Sequence, residues 1–140
     1  VTTLNNIGQM CHQLFFSIKP LAQRHTLLPF TTVFGSQGGE ATTLNNIAAI
    51  YYLAGELDKA AAIFQQIIPI VHDMGAVAQE AALLFNLAAV YEKMGKIDGA
   101  IQSAEAGKAI LILYNLTQDA GGATIAVYDA FLTQLRGTSG

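Results

Sequence analysis

The chain has 140 residues, 52% of them hydrophobic and 12% charged, a balance that suits closely packed helices and argues against disorder. Its net charge is -3, and the seven Lys and Arg are spread singly from Lys19 to Arg136, so no basic face exists to neutralise phosphates and nucleic acid is excluded as a partner. No uncharged stretch reaches the roughly 18 apolar residues of a membrane span, Cys11 has no second cysteine to bond, and no secretory leader opens the chain, so a cytoplasmic setting is expected.

The apolar spacing predicts a first helix near 2–14, opening on Thr2-Thr3-Leu4-Asn5-Asn6-Ile7. A second, near 17–34, is expected to be kinked or partly unwound, because Pro20 and Pro29 remove backbone donors and the run from His25 to Phe34 is rich in β-formers. Gly35-Ser36-Gln37-Gly38-Gly39-Glu40 lacks the Gly-Lys-Ser/Thr ending of a phosphate loop and reads as a helix stop and restart. Helices follow near 38–54, 57–74, 78–94 and 97–114, and a closing helix near 119–135 precedes a flexible tail at 137–140. Because Val1 already lies in the first helical pattern, the chain is expected to be a segment of a longer protein, forming one domain over 1–136.

These elements repeat. Thr2-Thr3-Leu4-Asn5-Asn6-Ile7 recurs unchanged at Thr42-Thr43-Leu44-Asn45-Asn46-Ile47, and a looser copy runs from Leu83 to Tyr91. The 40-residue offset also relates Gly35 to Gly75, Gly55 to Gly95, Asp58 to Asp98 and Ala60 to Ala100, giving units of about 1–40, 41–80 and 81–118. Gly8, Ala48 and Ala88 are expected where the helices of a hairpin cross, and Ala60 and Ala100 where one hairpin meets the next. Tyr51 and Tyr91 are expected to fill the space beside them, with their hydroxyls at an edge.

The spacing Leu44, Ile47, Ala48, Tyr51, Gly55, Ala60 and Phe64, repeated as Leu84, Leu87, Ala88, Tyr91, Gly95 and Ala100 with Ala104 in the Phe place, resembles the tetratricopeptide repeat. Leu stands where that family's first helix has Trp, and a period of 40 rather than 34 residues resembles the repeats of kinesin light chains, Leu-Gly-Asn adaptors and bacterial peptide sensors. The resemblance implies an all-α right-handed superhelix of three hairpins and a capping helix, which is no enzyme, needs no cofactor and binds a peptide or partner helix in its concave groove. A regulatory segment of a larger protein, whose groove holds an oligopeptide or another part of the same chain, is the alternative.

Helical geometry puts Thr2, Asn5, Asn6, Gln9, His12 and Gln13 of the first unit on that face. It adds Thr42, Asn45, Asn46, Ala49, Tyr52 and Leu53 of the second, and Ala82, Phe85, Asn86, Ala89, Glu92 and Lys93 of the third. Asn6, Asn46 and Asn86 hold the same place in each hairpin; an amide there can clasp a main-chain peptide group or bond a neighbouring helix. Among the later groove positions only Lys93 is positive, which disfavours a terminal carboxylate as ligand. Cys11 and His12 point about 100° apart and cannot act as nucleophile and base, and His12, His25 and His72 lack metal-ligand spacing. Self-association through exposed ends of the solenoid is also expected.

Overall fold

A helix with one apolar stripe must bury it, and helices joined by short turns do so by folding each back on the one before. The computed structural model describes residues 36–139, which form five helices. They are α1 (Ser36–Leu53), α2 (Leu57–Asp73), α3 (Val77–Lys93), α4 (Ile97–Leu113) and α5 (Ile125–Ser139). The architecture is all-α, as predicted, with each helix packed on its successor, so that α1 with α2 and α3 with α4 make two hairpins and α5 lies against α4. The helices assigned to 2–14 and 17–34, and the kink expected from Pro20 and Pro29, fall outside the described residues. Ser36 to Glu40 are helical and run into α1, and the stop expected at Gly35 falls outside the described residues.

One turn device is used four times. Gly55, Gly75 and Gly95 have φ of +82°, +73° and +78°, and Asn115 takes the same place at +54°. This left-handed residue lets the next N–H reach back to a carbonyl five residues earlier, as Glu56 does to Tyr51 at 2.9 Å, Lys96 to Tyr91 at 2.9 Å and Leu116 to Leu111 at 2.8 Å. Carbonyls that a helix end leaves open are thereby satisfied. Because the device recurs every 20 residues, α2, α3 and α4 start at Leu57, Val77 and Ile97, and the 40-residue repeat is two equal halves.

The core follows the pattern of small and large side chains. Ala48, Ala60, Ala88 and Ala100 are all fully buried, as close helix approach requires. Phe64, Ile67 and Val71 of α2 pack with Leu83, Leu87 and Val90 of α3 in the main cluster. Ala104, in the place of Phe64, leaves room that Leu132 of α5 fills beside Ala88. Pro69 sits inside α2 on its exposed side, where the cost of a missing backbone donor is lowest.

The last helix departs from the sequence expectation. It begins at Ile125 rather than near 119 and runs to Ser139, through positions read as tail. Thr117-Gln118-Asp119-Ala120-Gly121-Gly122-Ala123-Thr124 builds a loop instead, because Asp119 satisfies backbone N–H groups that a helix would need. Its carboxylate accepts from Gly121 N at 2.8 Å and Ala123 N at 2.9 Å, and Gly122 takes φ of +91°. Ala120 N donates to the Ala78 carbonyl at 3.0 Å, pinning the loop to the first turn of α3, and Thr124 caps α5 through Val127 N.

Candidate functional site

The positions expected to face a groove are brought together by α1 and α3, but most are covered. Asn45 and Asn86 are 0% exposed, and Asn86 Nδ2 donates to Asn45 Oδ1 at 3.4 Å, linking the first helices of adjacent hairpins. Asn46, Ala49, Tyr52, Ala82 and Ala89 are buried as well. Asn86 Oδ1 is also buried and accepts from no protein donor among the described residues. Tyr52 meets Glu92, its counterpart one unit on: burial first, and then the Glu92 charge, push the Tyr52 phenol up to about 12.

Phe85 requires a correction. It is core and not groove wall, because α5 covers it: its ring stacks on Tyr128 with centroids 4.4 Å apart and meets Phe131 edge-on at 5.1 Å. The Tyr128 hydroxyl, itself buried, points its proton between Asp119 Oδ2 at 2.7 Å and the Ala81 carbonyl at 3.0 Å. Burial and then the Asp119 charge raise its pKa far above that of a free phenol, so it stays a neutral donor. Neither Tyr128 nor Asp119 was singled out from the sequence; the signal was Asp119-x-Gly121-Gly122, a turn composition at a supposed helix start.

What remains accessible lies at the carboxyl-terminal ends of α1 and α3. Lys93 is exposed, and Leu53 and Glu92 are half-buried. Glu92 accepts from Gln134 Nε2 of α5 at 3.1 Å, so Tyr52, Glu92 and Gln134 form a row across α1, α3 and α5. In this row α5 behaves as the first helix of a further unit, set off by 42 residues at Glu92 and Gln134 where the repeat has 40. Thr2, Asn5, Asn6, Gln9, His12 and Gln13 lie outside the described residues.

The flanks hold the array together. Gln65 Nε2 donates to the Tyr91 hydroxyl at 2.6 Å, which holds that hydroxyl at the expected edge, and Lys59 lies over the Tyr51 ring at 5.4 Å. Lys108 pairs with Asp129 and Arg136 with Glu105 between α4 and α5. Among the described residues no group of three His, Cys, Asp or Glu could hold a metal ion, and no helix is long and apolar enough to cross a membrane.

Neither the curated proteins nor the solved structures yielded a significant match. Residues 39–112 match the family model described as tetratricopeptide repeat, a span that holds both hairpins and their Gly turns. Repeats of this kind serve in general as non-catalytic modules of protein–protein interaction. With 20-residue half-units, buried alanines at each crossing and a match over more than half its length, this chain belongs to the tetratricopeptide repeat family.

Proposed function

We propose that the chain holds a peptide or partner helix on the side formed by α1 and α3. The supporting observation is that Lys93, Leu53 and Glu92 remain accessible at the ends of these helices, above a floor of buried amides. In this reading Asn45, Asn46 and Asn86 set the spacing of the hairpins beneath the ligand, while the rim supplies one cation, one carboxylate and apolar surface. A segment of mixed polarity with an acidic side chain near its middle suits that rim better than a free terminal carboxylate, which would need more than the single positive Lys93. By the 40-residue register the proposed face extends to Asn5, Asn6, Gln9, His12 and Gln13 of the first unit.

The test is peptide selection from a display library on the immobilised chain, followed by affinities for variants. Lys93→Glu and Leu53→Ala are each expected to weaken the selected peptides about tenfold, equal to about 1.4 kcal/mol. Gln66→Glu, on the outer side of α2, should bind as the parent does. Peptides that bind all three variants equally would place the ligand elsewhere and end the groove proposal.

A further inference from the structure

The outer faces of α2 and α4 occupy the same place in successive units but carry different chemistry. Asp58, Ala62, Gln65, Gln66, Pro69, His72 and Asp73 form one exposed stripe on α2. On α4 the same stripe begins with Asp98, Gln102 and Glu105 and then turns apolar at Ala106, Ala109, Ile112 and Leu113. Ile112 is 60% and Leu113 76% exposed, and Tyr114 beyond them is 53% exposed. His72 is comparably open, so geometry leaves this position in water and only the side chain has changed. From Ala109 to Gln118 the sequence carries no charge. A contiguous exposed apolar surface of this kind marks an interface.

We infer that α4 pairs with α4 of a second copy of this chain, antiparallel about a two-fold axis near Ala109. An isologous contact must be self-complementary. Here small residues lie on the amino-terminal side of Ala109 and large ones on the carboxyl-terminal side, so antiparallel pairing sets Ala106 opposite Ile112 and Leu113 of the copy and lets the backbones approach at Ala109. The same arrangement holds like charges apart. The two Asp98 side chains fall at opposite ends, and each Glu105 is already paired with Arg136 of its own chain. A parallel pairing would set Ile112 and Leu113 against themselves and the acidic ends side by side. None of the stripe residues belongs to the proposed ligand face, whose accessible members Leu53, Glu92 and Lys93 are on α1 and α3, so the contact leaves that face open.

Sedimentation velocity on the full chain over a concentration series tests this. The parent is expected to dimerise, and the double variant Ile112→His with Leu113→Asp, which restores the residues of the preceding unit, should be monomeric with unchanged circular dichroism and melting temperature. In a Cys11→Ser background, Ala109→Cys should form a disulfide-linked dimer under mild oxidant, whereas Gln66→Cys on α2 should not. A parent that stays monomeric at its highest soluble concentration overturns the inference, and so does a dimer that survives the double substitution or fails to cross-link at position 109. The peptide affinities of the double variant should match the parent's, so failure of this contact and failure of the ligand face are read separately.

Discussion

Single side chains in this protein do separable work. His72 closes α2 onto α3 through Glu80, with Nδ1 at 3.0 Å and 3.1 Å from its two carboxylate oxygens. That hydrogen bond, and then the Glu80 charge, raise the His72 pKa above its ordinary value. A raised folded-state pKa stabilises the fold below the unfolded value and loses that contribution as pH rises through the folded one. The His72→Gln variant is therefore expected to melt below the parent at about pH 6 and with it at about pH 8, and an NMR titration of the His72 ring should show the upward shift directly. Equal melting differences at both pH values would mean that the imidazole charge plays no part.

Among the elements, α5 depends on a glycine in its neighbour. A Cβ at Gly107 of α4 would stand 2.8 Å from the Tyr128 ring and 3.1 Å from the Ala81 carbonyl, and neither can move easily, since Tyr128 is stacked on Phe85 and Ala81 is helix backbone. Gly107→Ala would normally favour a helix by about 1 kcal/mol. The overlap should outweigh this, for a net loss of about 1–3 kcal/mol, read by chemical denaturation. Hydrogen exchange should localise the loss to α5 and the Asp119 loop, leaving α2 and the start of α3 protected. A Gly107→Ala variant as stable as the parent would show that α5 is free to shift.

At the scale of the whole molecule, the hairpins are coupled through the buried amides. Asn46→Ala with Asn86→Ala removes one partner of the Asn45 contact and empties space at fully covered positions. A loss of about 1–3 kcal/mol is expected, a drop of several degrees in melting temperature, with little change in peptide affinity for the molecules that remain folded. The opposite result, an unchanged melting temperature with weakened binding, would mean that the amides open to clasp the ligand itself. Both quantities are measured on one sample.

The sequence by itself determined the repeat, because packing at a helix crossing admits only small residues and a left-handed turn admits Gly or Asn, and both constraints show as a residue type at a fixed spacing. Ala48, Ala60, Ala88, Ala100 and the turns at Gly55, Gly75 and Gly95 were legible for that reason, as was the family. Where the groove ends was not. Phe85 looked accessible because helical geometry says which way a residue points and not what comes to meet it; Tyr128 and Phe131 meet it only after the Asp119 loop has moved the start of α5 to Ile125. The same holds for the amides, whose position was plain at Asn45, Asn46 and Asn86 but whose burial depends on how closely α1 and α3 lie together. Local chemistry fixes direction along the chain, whereas exposure is a property of neighbours distant in sequence, and only the tertiary structure supplies those.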